Sequence, residues 1–162
     1  MLHSAAVSTP FGSFVLRADD DEIVAALWDR APRTSADTPV LRRASRWLAD
    51  YFAGNFRPVD FPLRAEGTDF QRRIWAAIAA IPAGSSATYG ALARELKSAP
   101  RAVGGACGAN PIAVIIPCHR ALAADGGLGG SSGGRGVATK RQLLTHEGVQ
   151  SRVPSSETRL FA

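Results

Sequence analysis

Apolar and polar positions in the first 66 residues predict a small α/β unit. The segments FVL and IVAALW have the short apolar character of strands, and the acidic run from Asp19 to Glu22 predicts the turn between them. Apolar residues then recur at helical spacing along VLRRASRWLADYFAG, which predicts a helix that Gly54 ends. Its apolar positions are Leu41, Ala44, Leu48 and Phe52. The proline-bearing segment FRPVDFPLRAEG predicts a strand or an extended linker.

From Thr68 onward the spacing of apolar residues is helical. Thr68 and Gln71 form a capping-box pattern, and the helix that follows should end before Pro82 and Gly84. The segment TYGALARELKS predicts a second, short helix, and SAPRAVGGACGANP predicts a third with Ser98 as its cap. Two short helices joined by a tight turn predict a helix-turn-helix. The apolar positions of the first of these helices are Phe70, Ile74, Ile78 and Ile81.

The third helix has an unusual composition for a helix. Gly104, Gly105 and Gly108 lie inside it, and each glycine costs a helix roughly 1 kcal/mol relative to alanine. Arg101 lies near its start, where a cation opposes the helix dipole. Two explanations remain open at this point: close packing on a neighbouring helix, or close approach of a ligand backbone.

A cysteine stands at the end of the most apolar run in the second half. Residues 112–116 predict a buried strand or extended segment, and Pro117 ends any strand pairing there. Cys118 follows, with His119 next to it and a His-Glu pair ending at Glu147 later in the chain. A thiol becomes a nucleophile when a base takes its proton or when cations favour the thiolate. A cysteine hydrolase is therefore one candidate, and an inert buried cysteine is another.

Two other chemistries fit this segment poorly. A zinc site would need Cys107, Cys118, His119 and His146 as ligands, and their spacing matches no standard zinc pattern. The glycine-rich stretch GGLGGSSGGRGVATK contains neither of the usual phosphate-binding glycine motifs. We expect neither a metal nor a nucleotide cofactor.

Composition and charge add a partner class. The chain has 162 residues, enough for one or two small domains, and a net charge of +5. Residues 1–68 hold eight basic and nine acidic residues, whereas residues 69–162 hold eleven and five, so the basic surplus lies in the second half. This distribution indicates either a polyanionic partner or a merely solvated basic surface. The absence of a signal-like start, of a long apolar run and of a cysteine framework predicts a cytoplasmic protein.

Several segments together resemble one family, the O6-alkylguanine-DNA alkyltransferases, also called methylated-DNA–protein-cysteine methyltransferases. The segments GTDFQRRIW, TYGALA, RAVGGACGANP, IIPCHR and LLTHEG occur in the family's order over most of residues 67–148. The N-terminal residues resemble the family more loosely, through TPFGSF and the DYFAG helix.

The resemblance implies a fold and an activity. The expected fold is an RNase H-like α/β domain over residues 1–66, followed by a winged helix-turn-helix-like domain over residues 67–162. The expected activity is irreversible transfer of an alkyl group from guanine O6, and in some relatives thymine O4, to one cysteine. No cofactor carries the group, and each protein reacts once. The expected partner of a monomer is double-stranded DNA, contacted through the minor groove with the target base flipped out. A damage-binding protein without transfer and a thiol hydrolase are the alternatives.

Residue roles follow from matching positions in the family's motifs. Cys118 is the implied alkyl acceptor, His119 its base through a water molecule, and Glu147 the group that orients the histidine. Asn110 is the implied hinge between the recognition helix and the cysteine segment, and Arg120 is expected to brace the loop. The residues implied to contact DNA or the flipped base are Tyr89, Arg101, Ala102, Gly105, Ala106, Ala121 and Ser132, with Arg101 filling the gap in the base stack.

Three features depart from the family's pattern. The loop GGLGGSSGGRG lacks the usual aromatic residue and is longer than in relatives, so the assignment of Ser132 depends on an uncertain register. The N-terminal half has no cysteine and only His3, so we expect no structural zinc there. Cys107 lies in the predicted recognition helix, and we expect it to have a packing role rather than to act as a second acceptor.

Overall fold

The computed structural model describes residues 1–123 and 136–149. These residues form a mixed α/β fold with five α-helices, a three-stranded antiparallel sheet and a two-stranded parallel pair. Among them, no helix combines the length and the apolar character that crossing a membrane would require. The elements in chain order are β1 (Leu2–Thr9), β2 (Gly12–Asp19), β3 (Glu22–Trp28), α1 (Pro39–Phe52), α2 (Asp69–Ala79), β4 (Ala87–Thr88), α3 (Tyr89–Glu95), α4 (Pro100–Gly108), a 3₁₀ helix (Cys118–Arg120), β5 (Ala121–Leu122) and α5 (Val137–His146).

The chain divides into two compact units. The first comprises residues 1–66 and 111–115, and the second comprises residues 67–110 and 116–162. The first unit ends at residue 66, as in the predicted division, but it also includes residues 111–115, the apolar segment before the cysteine. Pro111 accepts a hydrogen bond from the Ala26 amide, and Ala113 donates one to the Ala26 carbonyl, so tertiary pairing with β3 holds this segment.

In the first unit, β2 and β3 form as predicted, with their turn at residues 20–21. The predicted α1 also forms, and Thr38 caps it by accepting a hydrogen bond from the Leu41 amide. The sequence analysis missed β1, which pairs antiparallel with β2 along its whole length. The segment from Phe56 to Gly67 forms no continuous strand and makes one isolated bridge, from Leu63 to Ile23.

Residues 112–116 form neither of the predicted alternatives, a strand or an extended segment. The segment is buried, as expected, but its backbone turns at Val114, which has a φ of 68°. Only Ile112 makes a bridge, to Ala26. The apolar residues therefore predicted the burial of this segment correctly, but not the turn in its backbone.

The second unit begins with the predicted capping box. Thr68 accepts a hydrogen bond from the Gln71 amide, and the Gln71 side chain accepts one from the Thr68 amide. The predicted helices α3 and α4 also form. Ser98, however, does not cap α4: the N-cap residue is Ala99, which makes no side-chain cap bond. The buried core of this part includes Ile74, Ile78, Ile81, Leu92, Val103 and Ala106.

Candidate active site

Cys118 is the first residue of the 3₁₀ helix that follows the turn at Pro117. The Cys118 amide donates to the Ile116 carbonyl, and the Arg120 amide donates to the Pro117 carbonyl. The Cys118 side chain packs partly buried against the core of the second unit. Two neighbours hydrogen-bond its thiol: Cys107 from α4, and Asn110, which follows α4. The local turn therefore holds the sulfur at a fixed position.

A buried cluster of charged groups lies directly beside the cysteine. Nε2 of His119 lies 2.5 Å from Oε2 of Glu147, whose side chain is fully buried. Arg120 donates two hydrogen bonds to the same carboxylate: Nε lies 2.8 Å from Oε1, and an Nη lies 3.0 Å from Oε2. Its other Nη donates to the carbonyl of Ile81 at 2.6 Å. The structure thus brings together His119 and Glu147, which are 28 positions apart in sequence, and shows Arg120 holding the carboxylate.

Burial controls the protonation of the histidine. It lowers the pKa of His119 below the usual value, and the charges of Arg120 and Lys140 lower it further, while Glu147 opposes the shift. His119 is therefore neutral at neutral pH. Its Nε2–H donates to Glu147, which fixes the tautomer and leaves Nδ1 able to accept a proton. A neutral, oriented imidazole is the form that a general base requires.

The Cys118 thiol is paired with a second thiol, that of Cys107. The hydrogen bond with Cys107 and burial both raise the pKa of the Cys118 thiol, whereas Asn110 and Lys140 lower it. Cys118 is consequently protonated at rest and needs a base before it can attack. Cys107 packs against the apolar core, as expected. Its side chain also contacts the sulfur of Cys118, which the sequence analysis did not predict.

Lys140 is a component of the site that the sequence analysis missed. Its side chain is buried, and its Nζ lies 3.4 Å from the Tyr89 hydroxyl and 5.5 Å from the centroid of that ring. Burial lowers the pKa of Lys140 to about 8, while the two thiols oppose this shift. Burial also raises the pKa of Tyr89 to about 12, so its hydroxyl keeps its proton. One signal could have been found in the sequence: Lys140 shares a helix face with Leu143 and Leu144, where a charge is out of place.

Helix α4 has one exposed face and one buried face. Arg101, Ala102 and Gly105 are exposed, whereas Ala106 is buried and its carbonyl accepts a hydrogen bond from the Trp75 indole at 2.8 Å. Ala106 therefore does not lie with the other three. A Cβ on Gly104 would lie 3.5 Å from the Tyr89 ring, which is an ordinary van der Waals distance, whereas a Cβ on Gly105 would meet no described atom within 4 Å. Packing among the described residues therefore requires glycine at neither position.

Three further predicted residues have different outcomes. Asn110 donates from Nδ2 to the Ile116 carbonyl at 2.9 Å, so it joins the end of α4 to the segment before the cysteine. Ala121 is fully buried, its amide donates to the Cys118 carbonyl, and it pairs with Ala87 between β5 and β4. Ser132 and almost all of the glycine-rich loop lie outside the described residues.

Comparison with known proteins gives a consistent picture. Residues 69–149 match the family model for the 6-O-methylguanine DNA methyltransferase DNA-binding domain. A methylated-DNA–protein-cysteine methyltransferase of Salmonella typhimurium is 50% identical over 104 residues, which are 62% of this chain and 60% of that protein. The match therefore spans less than two thirds of that relative's length.

Two solved structures are similar over nearly the whole chain. The crystal structure of Mycobacterium tuberculosis O6-methylguanine methyltransferase has a TM-score of 0.79 and 35% identity, and the comparison covers 96% of each chain. A structure of Mycobacterium tuberculosis OGT in complex with DNA also has a TM-score of 0.79, with 37% identity over 90% of this chain and 92% of the other. The family model covers half of this chain, and it includes Cys118, the His119–Glu147–Arg120 cluster and Lys140. The chain belongs to the O6-methylguanine-DNA methyltransferase family.

Proposed function

We propose that this protein repairs DNA by transferring an alkyl group from guanine O6 to the sulfur of Cys118, once per molecule. The observation that carries the proposal is the group of side chains around one thiol in a member of this family. A neutral His119 is oriented by Glu147, and Lys140 and Asn110 favour the thiolate. The reaction needs no cofactor, because the cysteine itself keeps the group.

The chemistry follows from the protonation states. His119 takes the thiol proton of Cys118, and a bridging water provides the path that the family resemblance implies. The thiolate attacks the alkyl carbon, the carbon–oxygen bond breaks, and the guanine leaves. Tyr89 remains protonated, and its hydroxyl oxygen accepts a hydrogen bond from the Lys140 ammonium. The Tyr89 hydroxyl can then donate its own proton in a hydrogen bond to the leaving base. The thioether that forms does not return the alkyl group, so the reaction stops after one equivalent.

The roles of the two units are part of the same proposal. Helices α3 and α4, joined over residues 96–99, act as the helix-turn-helix of a winged domain, with the exposed face of α4 in the minor groove. Arg101 fills the space that the flipped guanine leaves. The first unit is an RNase H-like scaffold. The protein acts as a monomer in the cytoplasm, where its two free thiols remain reduced.

A mass measurement tests the transfer. The protein is mixed with a duplex that carries O6-methylguanine and is then digested with trypsin. Because cleavage follows Arg101 and Arg120, peptide 102–120 carries both Cys107 and Cys118, and fragmentation must show which sulfur holds the methyl group. We expect one methyl on Cys118 and no turnover beyond one equivalent.

The variant Cys118→Ser supplies the control. It should lose transfer completely and still bind the duplex, because the DNA-contacting face of α4 is unchanged. Continued turnover with substrate in excess would support the hydrolase alternative, and tight binding by the unmodified protein without any mass change would support the damage-binding alternative. A methyl found on Cys107 would move the acceptor role to that residue.

Removal of the Arg101 side chain should separate base flipping from chemistry. We expect Arg101→Ala to slow repair of duplex DNA far more than reaction with free O6-benzylguanine, because the free base does not have to leave a stack. The measurement is the ratio of the two second-order rate constants in variant and parent. Equal losses with both substrates would remove Arg101 from this role.

The small exposed position on α4 gives a second test of the docking face. Gly105→Leu adds a side chain at a position where a Cβ would meet no atom of residues 1–123 and 136–149 within 4 Å, and leucine favours a helix more than glycine does. We therefore expect the fold to remain intact and DNA affinity to fall roughly tenfold, which is about 1.4 kcal/mol. Ala76→Leu, at an exposed position of α2, is the matched control. Similar affinities for the two variants would contradict minor-groove docking through this face.

A further inference from the structure

The proposed alkyl transfer gives Cys107 no chemical step, although its side chain contacts the Cys118 thiol. Cys107 lies in the last turn of α4, and its side chain hydrogen-bonds the Cys118 thiol. Both side chains pack against the same apolar cluster, and both are free thiols. The sequence contains two cysteines, and both lie among the described residues. Each thiol is therefore in contact with a group that can react with it.

The surrounding structure holds this pair together. Asn110, three positions after Cys107, donates to the carbonyl of Ile116, which is two positions before Cys118. This bond joins the end of α4 to the segment that leads into the 3₁₀ helix. Lys140 adds a buried positive charge that acts on both thiols. Reactive cysteines are found in electropositive surroundings of this kind, because the cation favours the thiolate.

We propose that Cys107 is a resolving cysteine, which forms a reversible intramolecular disulfide with Cys118 when the protein meets a hydroperoxide. His119 takes the thiol proton of Cys118, the thiolate attacks one peroxide oxygen, and the oxygen–oxygen bond breaks. Cys118 becomes a sulfenic acid, and the other oxygen takes up the proton and leaves as water or an alcohol. The Cys107 sulfur then attacks the sulfenic sulfur, and the hydroxyl leaves as water. With hydrogen peroxide, two thiols and one peroxide yield one disulfide and two water molecules.

The consequence concerns the fate of the acceptor. The repair function loses the whole protein whenever its single acceptor is destroyed, and a sulfenic acid without a partner proceeds to irreversible sulfinic and sulfonic acids. A neighbouring thiol diverts the sulfenic acid into a disulfide that a dithiol can reduce. The oxidised protein is inactive, because its acceptor sulfur is bonded, and it recovers on reduction. This consequence rests on the proposed role of Cys118 as acceptor, whereas disulfide formation does not.

The position of both cysteines within one tryptic peptide makes the test direct. The protein without DNA is treated with hydrogen peroxide, blocked with iodoacetamide and digested without reductant. We expect peptide 102–120 to be lighter by two hydrogen atoms and to carry no carbamidomethyl group. Transfer activity should disappear in proportion to the oxidised fraction and return completely after treatment with dithiothreitol.

Two comparisons make the result specific. Cys107→Ser should form no such peptide; its Cys118 should reach the sulfinic acid, and dithiothreitol should not restore transfer relative to its own untreated rate. Parent protein that has first been methylated by substrate DNA keeps the native fold without needing a substitution, and it should also form no disulfide. This second comparison keeps the test valid if the serine variant folds poorly.

Two outcomes would overturn the inference. One is sulfinic acid on Cys118 of the parent protein as readily as in Cys107→Ser, with no peptide lighter by two hydrogen atoms. The other is a disulfide that joins two protein molecules. Untreated parent protein that fails to transfer an alkyl group would instead contradict the proposed function, and the peptide masses would still decide whether the disulfide forms.

Discussion

Arg120→Met is expected to destabilise the protein by about 3–5 kcal/mol and to suppress alkyl transfer at neutral pH. The substitution leaves the fully buried carboxylate of Glu147 without the guanidinium that binds both of its oxygens. Removal of one partner from a buried ion pair is costly because the remaining charge has lost its solvation and gains no replacement. The measurements are the free energy of unfolding in urea and the rate of transfer to Cys118.

The same substitution should change the protonation of His119. Arg120 is one of the charges that lower the pKa of the imidazole, so its removal raises that pKa while Glu147 continues to attract a proton. A protonated His119 cannot accept the thiol proton. The lowered pKa of His119 makes the folded parent protein less stable as pH falls below the usual imidazole pKa of about 6.5. The variant, in which this pKa is higher, should lose less stability there. The difference in unfolding free energy between parent and variant should therefore become smaller below that pH.

An exposed arginine provides the control for this prediction. Arg72→Met removes a partner of Asp69 from α2, where the two side chains are 50% and 98% exposed. Solvent screens such pairs, so the expected change is no more than about 1 kcal/mol. A loss for Arg120→Met as small as that for Arg72→Met would mean that the buried cluster contributes neither to stability nor to the state of His119.

Lys140→Met is expected to have opposite effects on stability and activity. Burial lowers the pKa of Lys140 from 10.5 to about 8, so the folded protein carries a charge there at a cost of about 3 kcal/mol. Methionine keeps a similar length without the charge, and the variant should be more stable by up to about that amount at neutral pH. Alkyl transfer should slow roughly tenfold or more, which corresponds to an activation free energy higher by about 1.4 kcal/mol. The reason is that the ammonium no longer stabilises the thiolate or donates a hydrogen bond to the Tyr89 hydroxyl.

The dependence on pH makes the role of Lys140 specific. Between about pH 8 and 10.5 the unfolded chain holds this proton and the folded protein does not. The parent protein should therefore gain stability from this group as pH rises through that interval, and Lys140→Met should lack the gain. Arg141→Met, at the next and exposed position of α5, is the control and should change neither quantity appreciably. A variant Lys140→Met that is less stable than its parent would contradict this account.

Local sequence determined helices α1 and α2. The apolar spacing of α1 and the capping box of α2 act within a few residues, so each could be predicted without knowing the rest of the fold. Residues of the site were assigned by resemblance to family motifs, which also rests on the chain alone. The structure places His119 and Glu147 within hydrogen-bonding distance, and their roles stay a prediction.

The contacts between distant segments were decided only by the tertiary structure. The segment at residues 112–116 is apolar enough for a strand, yet it makes one isolated bridge to β3 and turns at Val114, which has a positive φ. Ala106 is small, like its neighbours on α4, but the position of Trp75 buries it. Three other features likewise depend on which surfaces pack together. They are the hydrogen bonds of Arg120 to Glu147, the burial of Lys140 and the contact between Cys107 and Cys118. Helix periodicity and capping depend on residues close together in the sequence, so they can be predicted from the chain. The charge states of this site depend on burial, and burial arises only when segments distant in the sequence pack together.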